Sequence, residues 1–566
     1  MKEIQLNPQQ LEAVSHRDGP MIVLSVAGSG KTMVLTERII HLIEEYGINP
    51  NNLLAITFAK KAVLEIQSRL KKRLNGNGDK TTVCTFHSLG YRILRAEGYP
   101  MNGFKLIHDG QQMNIFLQAM DKADIKEEPS LLLSRMSLAK NDLISPPDLE
   151  KSNEPEDKKL SKVYSCYELL KRRKRLVDFN DLLYFPYQLF RKDKRILEYY
   201  QNRFQHILVD EFQDSSKVMV ELVKLLSQTH NNVWLAGDDD QSIHSFRGAR
   251  SDMFVSLDKE YWTDAKTITM SHNYRSTGNI LKAANNLISH NRVRVKKSIA
   301  TDNENGEEIQ IVEAENEIAE AELIANKIVE LISEGYLFND IAILVRVHRL
   351  MPLIEAALIK QKIPYNSYGG FLYNRRDMKT VIAIMRYLIS GYPSDGIDTD
   401  LIERTRSDIF DHYKKLSLSE SFDIAASYLM IKPNSELEDE EERTLKGLYL
   451  DAFEYFITPP QNFDDLIESI KEAQMVNSTS SNGKVNLMTI HQAKGLEFKC
   501  VFVPALNEGI LPHINSIEQL VNLEEERRLM FVAITRAMER LFITYRRRQN
   551  GQPITSPSRF IEELSA

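Results

Sequence analysis

The sequence predicts an α/β protein with two parallel sheets, each interrupted by a mostly helical insert. Short β-branched runs recur along the chain, and a turn and a helical pattern follow each of them. These runs form an early group and a late group, which indicates two separate sheets. Two charged stretches of helical pattern contain no such runs, and we therefore interpret them as inserts.

The predicted strands and inserts can be placed by residue number. The early strands are 21–25, 53–57, 207–210 and 233–237, and the late strands are 309–312, 341–345, 500–503 and 541–544. The predicted organisation is a first lobe (1–97 and 188–265) with a helical insert (98–187), then a second lobe (266–376 and 484–566) with a reduced helical insert (377–483). The polar run 476–483 at the end of the second insert is predicted to be a flexible connector.

The composition is that of a soluble globular protein. Hydrophobic residues make up 42% and charged residues 27% of its 566 residues, and we find no apolar stretch of membrane-spanning length. The N-terminus lacks a signal-peptide layout, and Cys84, Cys166 and Cys500 lack zinc spacing. These features predict a cytoplasmic protein without a membrane partner. The net charge of −7 does not indicate nucleic-acid binding, although local basic clusters occur.

A phosphate-binding loop follows the first predicted strand. Gly28 and Gly30 let backbone N–H groups approach a phosphate, and the helix that follows adds its positive N-terminal dipole. Lys31 supplies a cation for the β- and γ-phosphates, and Thr32 supplies a hydroxyl ligand for Mg²⁺. Ser25 replaces the first glycine of the general pattern.

Acidic residues close another predicted strand, as expected of the Mg²⁺-binding aspartate and the adjacent base in a nucleotide hydrolase. They are Asp210 and Glu211. Gln241 follows a further strand and is a candidate sensor of the γ-phosphate or the attacking water. The acidic run before it (238–240) has two open interpretations, an outer shell for Mg²⁺ or a capped turn.

Arginines far along the chain are candidates for positive fingers that reach the same nucleotide from the second lobe. They are Arg275 and Arg536. A nucleotide held by two lobes suggests a motor, because such a site can open and close with each hydrolysis.

These motifs resemble, in order and along nearly the whole chain, those of the UvrD/Rep family of superfamily 1 DNA helicases. The matching segments are 6–10, 27–32, 57–62, 85–88, 210–214, 241–249, 273–276, 489–498 and 525–537. The resemblance implies two RecA-like lobes, ATP and Mg²⁺ as cofactors, and 3′-to-5′ movement on single-stranded DNA with duplex unwinding.

The resemblance also implies roles for individual residues. Asp210 and Thr32 would hold Mg²⁺, Glu211 would be the base, and Gln241, Arg275 and Arg536 would contact the γ-phosphate. The expected nucleotide-binding residues are Gln10, Ala27, Gly28, Ser29, Gly30, Lys31, Thr32, Tyr274 and Glu497. Gln10 would read the adenine, Tyr274 would stack on it, and Glu497 would hold the ribose.

A motor that steps along DNA without sequence preference needs aromatic platforms for bases and contacts to the backbone. The expected DNA-binding residues are Phe58, Lys61, Phe86, His87, His244, Phe246 and His491. His244 stands where the family usually has tyrosine, and its imidazole offers a smaller stacking area.

The sequence leaves two other functions open. One is a nucleotide-gated switch or DNA-sensing ATPase subunit of a repair or defence complex, with little unwinding of its own; the other is an RNA-directed helicase. The expected partners are single-stranded DNA and its junctions with duplex. The sequence leaves open the pathway, the protein partners, and whether the active form is a monomer or a DNA-induced dimer.

Overall fold

The computed structural model of the chain describes residues 5–74, 76–100, 102–368, 372–391, 398–409, 416–431, 440–457, 462–479, 483–517, 519–549, 552–553 and 556–565. The chain divides into two compact units. The first comprises residues 1–274 and 291–301, and the second comprises residues 275–290 and 302–566. The chain therefore leaves the first unit, returns to it for one short segment, and leaves again.

The first unit contains a six-stranded parallel sheet. Its strands, in spatial order, are Thr82–Thr85, Leu53–Thr57, His206–Val209, Val233–Gly237, Met21–Ser25 and Lys266–Met270. Alternate residues of a strand face opposite sides, so Ile22 and Leu24 enter one apolar cluster while Met21 and Val23 enter another. Both faces of the sheet are thus buried, as expected of a parallel sheet covered by helices.

The helices of the first unit lie between these strands and in its insert. They are Pro8–Ser15, Lys31–Glu44, Lys60–Arg73, Phe86–Glu97, Asp109–Ala123, Pro129–Asn141, Pro146–Glu150, Pro155–Lys174, Asp181–Lys192, Lys194–Arg203, Lys217–Ser227, Ser251–Val255 and Leu257–Glu260. The insert is helical as predicted, apart from one short parallel pair, Lys105–Leu106 with Leu176–Val177.

The second unit contains its own six-stranded parallel sheet. Its strands, in spatial order, are Tyr365–Ser367, Val485–Thr489, Ile341–Val345, Phe498–Val503, Ala537–Arg546 and Gln310–Ala314. A separate antiparallel pair joins Arg548–Gln549 to Gln552–Pro553. The prediction of an α/β fold with two parallel sheets is confirmed.

The helices of the second unit include those of the second insert. They are Gly278–Ser289, Glu317–Ser333, Met351–Lys360, Arg376–Ser390, Thr399–Ile409, Leu418–Ile431, Glu440–Ile457, Phe463–Thr479, Ile514–Ile517, Leu520–Ile534 and Arg559–Ser565. Within the described residues, no helix is both long enough and apolar enough to cross a bilayer.

The structure differs from the sequence predictions at the boundary of the first lobe and in the predicted connector, among other places. The strand Lys266–Met270 pairs with Met21–Ser25, so the first sheet continues beyond the lobe boundary predicted at residue 265. The predicted connector 476–483 begins as helix, because Phe463–Thr479 extends into it and the Asn477 side chain accepts a hydrogen bond from the backbone of Tyr365. Residues 480–482 of that connector lie outside the described residues.

Candidate active site

The phosphate loop connects the strand Met21–Ser25 to the helix Lys31–Glu44. Gly28 and Gly30 have φ angles of 69° and 81°, a backbone region that residues with a Cβ rarely adopt. A Cβ at Gly30 would also lie 3.3 Å from the Met33 side chain. The Ser29 hydroxyl is buried and has no hydrogen-bond partner among the residues that the structure describes. This turn can therefore cradle an anion, and the helix dipole favours one there.

Ser25 occupies the position at which the general pattern has glycine. Its side chain is fully buried and donates a hydrogen bond to the carbonyl oxygen of Gly237, at 2.8 Å. Gly237 ends the neighbouring strand of the sheet. The substitution thus joins the start of the phosphate loop to the segment that contains Gln241.

The two expected Mg²⁺ ligands lie together. Thr32 Oγ1 donates a hydrogen bond to Asp210 Oδ2, at 2.9 Å. Burial, followed by the charge of Glu211, raises the pKa of Asp210 to about 6. Hydroxyl and carboxylate oxygens are the ligands that Mg²⁺ prefers, and a cation offsets the burial of a carboxylate. The donor set therefore fits a magnesium ion.

The candidate base, Glu211, adopts a φ of 55°, which is unusual for a residue with a side chain. Its carboxylate lies 3.7 Å from Lys31 Nζ and accepts a hydrogen bond from Gln213 Nε2 at 2.5 Å. Gln213 is fully buried, and its Oε1 accepts a hydrogen bond from the backbone N–H of Asp238. The base is therefore oriented by a glutamine that also contacts the next strand end.

The acidic run 238–240 forms a capped turn. Asp238 Oδ1 accepts from the backbone of Asp240, and Asp238 Oδ2 accepts from Gln241 Nε2 at 2.5 Å. Lys297 Nζ lies 2.9 Å from Asp238 and 3.4 Å from Asp240, and it also contacts Asp239. Burial opposes ionisation of Asp238, but the Lys297 charge prevails and lowers the pKa of this carboxyl.

Arg294 adds a bidentate pair with Asp240, at 2.9 and 2.7 Å. Both cations belong to the segment 291–301, which returns to the first unit. The structure therefore favours the capped turn over an outer shell for Mg²⁺, because protein cations occupy the centre of the cluster.

The candidate adenine-binding residues also lie in the first unit. Gln10 forms a capping box with Asn7 and donates a hydrogen bond to the carbonyl oxygen of Ser29, at 3.0 Å. Asn7 in turn donates to the Tyr274 hydroxyl, at 2.7 Å, and the backbone N–H of Tyr274 donates to the carbonyl oxygen of Gly28. Tyr274 is 52% exposed, so its ring is accessible beside the phosphate loop.

The remaining nucleotide candidates belong to the second unit. Arg275 Nε lies 2.7 Å from Glu497 Oε2, and its guanidinium also donates to the carbonyl oxygen of Thr535. Arg536 is 1% exposed and donates hydrogen bonds to the carbonyl oxygens of Val532 and Leu496. These bonds fix the side chain of Arg536 against its own unit.

Several aromatic residues expected to contact DNA lie in the first unit, in loops or at the start of a helix. Phe58 is half-buried and packs edge-on against Phe86, with ring centroids 5.6 Å apart. Phe86 is only 4% exposed and belongs to the core, so it supports Phe58 and does not present a ring face to solvent. Phe246 is 53% exposed and packs edge-on against His244.

His87 is half-buried beside Phe179, with ring centroids 6.0 Å apart. Burial, together with the charge of Arg247, lowers the pKa of His87 to about 4, so its ring is neutral near pH 7. Lys61 is exposed at the start of a helix. His491 lies in the second unit, in a turn after the strand Val485–Thr489.

Sequence reasoning assigned no role to three residues of this region: Gln213, Lys297 and Phe179. Gln213 could have been inferred from its place two residues after the candidate base. Phe179 is 47% exposed although Asp178 and Asp181 on either side are fully buried, and an aromatic residue in such an acidic turn was the available signal. No local pattern distinguishes Lys297 from other lysines.

Comparison with known proteins identifies the family of this chain. Residues 6–262 match the UvrD/REP helicase N-terminal domain, and residues 268–409 and 399–548 match the UvrD-like helicase C-terminal domain. The chain belongs to the UvrD/Rep helicase family. Within this family it is similar to the ATP-dependent DNA helicase PcrA of Staphylococcus aureus strain Mu50, with 33% identity over 630 residues that cover 99% of this chain and 86% of the relative.

The chain is also similar to the ATP-dependent DNA helicase PcrA of Staphylococcus epidermidis strain ATCC 12228. It is 33% identical over 634 residues, again with 99% of this chain and 86% of the relative covered. The family expected from the order of the motifs is confirmed.

Proposed function

We propose that this protein is an ATP-dependent DNA helicase that moves 3′-to-5′ on single-stranded DNA and unwinds duplex at junctions. The observation that carries the proposal is the position of Gln213. Its amide donates to the Glu211 carboxylate, and its backbone carbonyl accepts a hydrogen bond from Ser242 at 3.2 Å. Ser242 begins the loop that contains Phe246. One residue therefore contacts both the candidate base and the loop with an exposed aromatic ring.

In the proposed mechanism, the phosphate loop and Lys31 hold the phosphates of ATP, and Thr32 and Asp210 hold Mg²⁺. When bound, the metal neutralises charge on the phosphate oxygens. Glu211 orients and deprotonates the attacking water, and Gln213 keeps its carboxylate in place. Arg275 and Arg536 are assigned to the γ-phosphate by family resemblance, and Glu497 to the ribose.

The proposed DNA-binding residues are Phe58, Lys61, His87, His244, Phe246 and His491, together with Phe179. Exposed rings at Phe179 and Phe246 provide stacking surfaces that are independent of base identity. Lys61 supplies a contact to the phosphate backbone. The location is proposed to be cytoplasmic, and the oligomeric state to be a monomer or a DNA-induced dimer.

The test is steady-state ATP hydrolysis with and without single-stranded DNA, followed by strand displacement from duplexes with a 3′ or a 5′ tail. We expect strong stimulation by DNA and displacement that requires the 3′ tail. Glu211→Gln should bind ATP and DNA yet lose both activities. Hydrolysis that is indifferent to DNA would contradict the proposal.

The alternative of a nucleotide-gated switch can be separated by a translocation assay. A motor removes a protein block from the 5′ end of single-stranded DNA during ATP hydrolysis, whereas a static switch leaves the block in place. An RNA oligonucleotide of the same sequence tests the remaining alternative, because DNA and RNA differ at the 2′-hydroxyl.

A further inference from the structure

A side chain of the helical insert holds the backbone of the loop that contains Phe246. Asn141 is the last residue of the helix Pro129–Asn141 and is 8% exposed. Its Nδ2 donates a hydrogen bond to the carbonyl oxygen of Arg247, at 3.0 Å. Arg247 ends the short turn Ser245–Arg247, in which Phe246 projects with 53% of its surface exposed.

The approach of this loop to Asn141 is close. Gly248 has a φ of 88°, and a Cβ at this position would lie 3.1 Å from the Cβ of Asn141. Asp142 lies 3.4 Å from the guanidinium of Arg250, at the end of the same loop. That ion pair is partly exposed and stabilises little, so the partly buried hydrogen bond from Asn141 is the stronger contact.

Asn141 itself is fixed by its neighbour. Lys140 is 1% exposed and contacts Asp181, which is fully buried, and it lies 2.8 Å from Glu168. Burial opposes the charge of Lys140, but Asp178, followed by Asp181 and Glu168, raises its pKa, so it remains a cation. Removing one partner of such a pair leaves the other charge buried and uncompensated, so these contacts hold this end of the helix in place.

The two ends of the loop are attached elsewhere. Ser242 donates to the carbonyl oxygen of Gln213, and the backbone N–H of Arg250 donates to the carbonyl oxygen of Ser215, both at 3.2 Å. Both acceptors follow the candidate base closely in sequence. The hydrogen bonds at the two ends of the loop therefore join it to the segment that follows the candidate base. The hydrogen bond at its middle joins it to Asn141 of the insert.

We propose that Asn141 is a positioning residue for single-stranded DNA binding, which acts by fixing the loop that contains Phe246. The inference rests on the proposed function, because it takes this loop as a DNA contact. Without the donor, the carbonyl oxygen of Arg247 loses its support and the ring of Phe246 is no longer held at one position. Binding of DNA then weakens, while the phosphate loop and the base keep their geometry.

The test measures the single-stranded DNA concentration that half-saturates ATP hydrolysis, together with kcat at saturating DNA and the rate without DNA. For Asn141→Ala we expect a rise of roughly three- to tenfold in the half-saturating concentration, as for the loss of one partly buried hydrogen bond. The kcat and the DNA-free rate should change less than about twofold. Asn153→Ala is the matched control, because Asn153 is an exposed asparagine of the same insert.

A second substitution of Asn141 and a double variant with Phe246 complete the test. Asn141→Asp preserves side-chain volume but places an oxygen against the carbonyl of Arg247, so it should weaken DNA binding even if the alanine variant folds poorly. If Asn141 acts through the loop, Asn141→Ala combined with Phe246→Ala should bind DNA no more weakly than Phe246→Ala alone.

The outcomes separate the inference from the proposed function. A wild type stimulated by DNA, with half-saturation unmoved in Asn141→Ala and Asn141→Asp, overturns only the inference. Additive effects of Asn141→Ala and Phe246→Ala overturn it as well, because they show independent actions. A wild type that DNA neither stimulates nor binds overturns the proposed function and the inference together.

Discussion

Lys31 Nζ lies 3.7 Å from Glu211 Oε1, so the cation expected to hold the phosphates is paired with the candidate base. Lys31 is 9% exposed, and its charge is therefore weakly screened by solvent. A bound phosphate chain would compete with Glu211 for this cation. Removal of the Lys31 side chain should therefore impair phosphate binding while the protein remains folded.

Lys31→Ala should reduce DNA-stimulated ATP hydrolysis by about 100-fold or more, because a positioned charge at the phosphates is lost. Circular dichroism should show an unchanged fold. Lys80→Ala, at an exposed position of the same unit, should hydrolyse ATP at the wild-type rate. Normal turnover in Lys31→Ala would show that the phosphate site has been assigned to the wrong loop.

Lys297→Met should destabilise the protein by about 3–5 kcal/mol, because buried carboxylates at 238–240 lose the cation at their centre. The measurement is urea-induced unfolding followed by Trp234 and Trp262 fluorescence, both of which report on the first unit. Lys296→Met is the control, because the neighbouring lysine is exposed. Equal stability of the two variants would exclude a central role for Lys297 in the cluster.

Phe179→Ala should weaken single-stranded DNA binding by roughly 5- to 100-fold, the loss expected for one stacked base. Phe179→Trp should bind at least as tightly as the wild type, because it retains an aromatic face. Fluorescence anisotropy of a labelled oligonucleotide measures both. Tyr199→Ala removes another exposed ring of the first unit and should leave DNA binding unchanged. An equal loss of binding in Phe179→Ala and Tyr199→Ala would show that aromatic exposure alone governs binding.

Glu355 offers a pH-dependent test in the second unit. It is fully buried, and its carboxylate accepts hydrogen bonds from Tyr365 Oη at 3.1 Å, Ser367 Oγ at 2.9 Å and the backbone of Leu372 at 2.9 Å. Burial raises the pKa of Glu355 to about 7, although these bonds and the nearby charge of Arg375 oppose the shift.

A carboxyl with a raised pKa holds its proton more tightly in the folded state. Its contribution to stability is therefore complete below about pH 4.5 and is lost as the pH rises through about 7. Glu355→Gln should match the stability of the wild type at pH 5, and at pH 8 its free energy of unfolding in urea should be higher by an amount on the order of 2–3 kcal/mol. Glu562→Gln, at an exposed position, should show no such pH-dependent gain.

Much of the fold could be predicted because β-branched runs and helical periodicity are local signals. The strands around Met21–Ser25 and Ile341–Val345 were located in this way. Lys266–Met270 was missed as part of the first sheet, because its membership depends on pairing with a strand more than 200 residues earlier in the chain. The strand Val485–Thr489 was not predicted, because the polar Asn486 within it weakens the apolar pattern.

The candidate active site was predicted where a motif places the residue by itself, as for Thr32 and Asp210. The sequence could not show which candidate side chains are exposed, and the structure shows this through their burial. Phe86 and Phe179 both lie beside helix starts, yet the first packs into the core and the second is exposed. Which ring faces solvent depends on how distant segments pack around it, and this packing is a tertiary property.

The return of segment 291–301 to the first unit limits where a folded fragment of this unit can end. A fragment that ends at residue 262, where the N-terminal family match stops, lacks the strand Lys266–Met270 and the cations Arg294 and Lys297. Such a fragment would expose an edge of its sheet and bury uncompensated acids. An independently folding nucleotide-binding fragment must therefore extend to residue 301, with the helix Gly278–Ser289 retained or replaced by a linker.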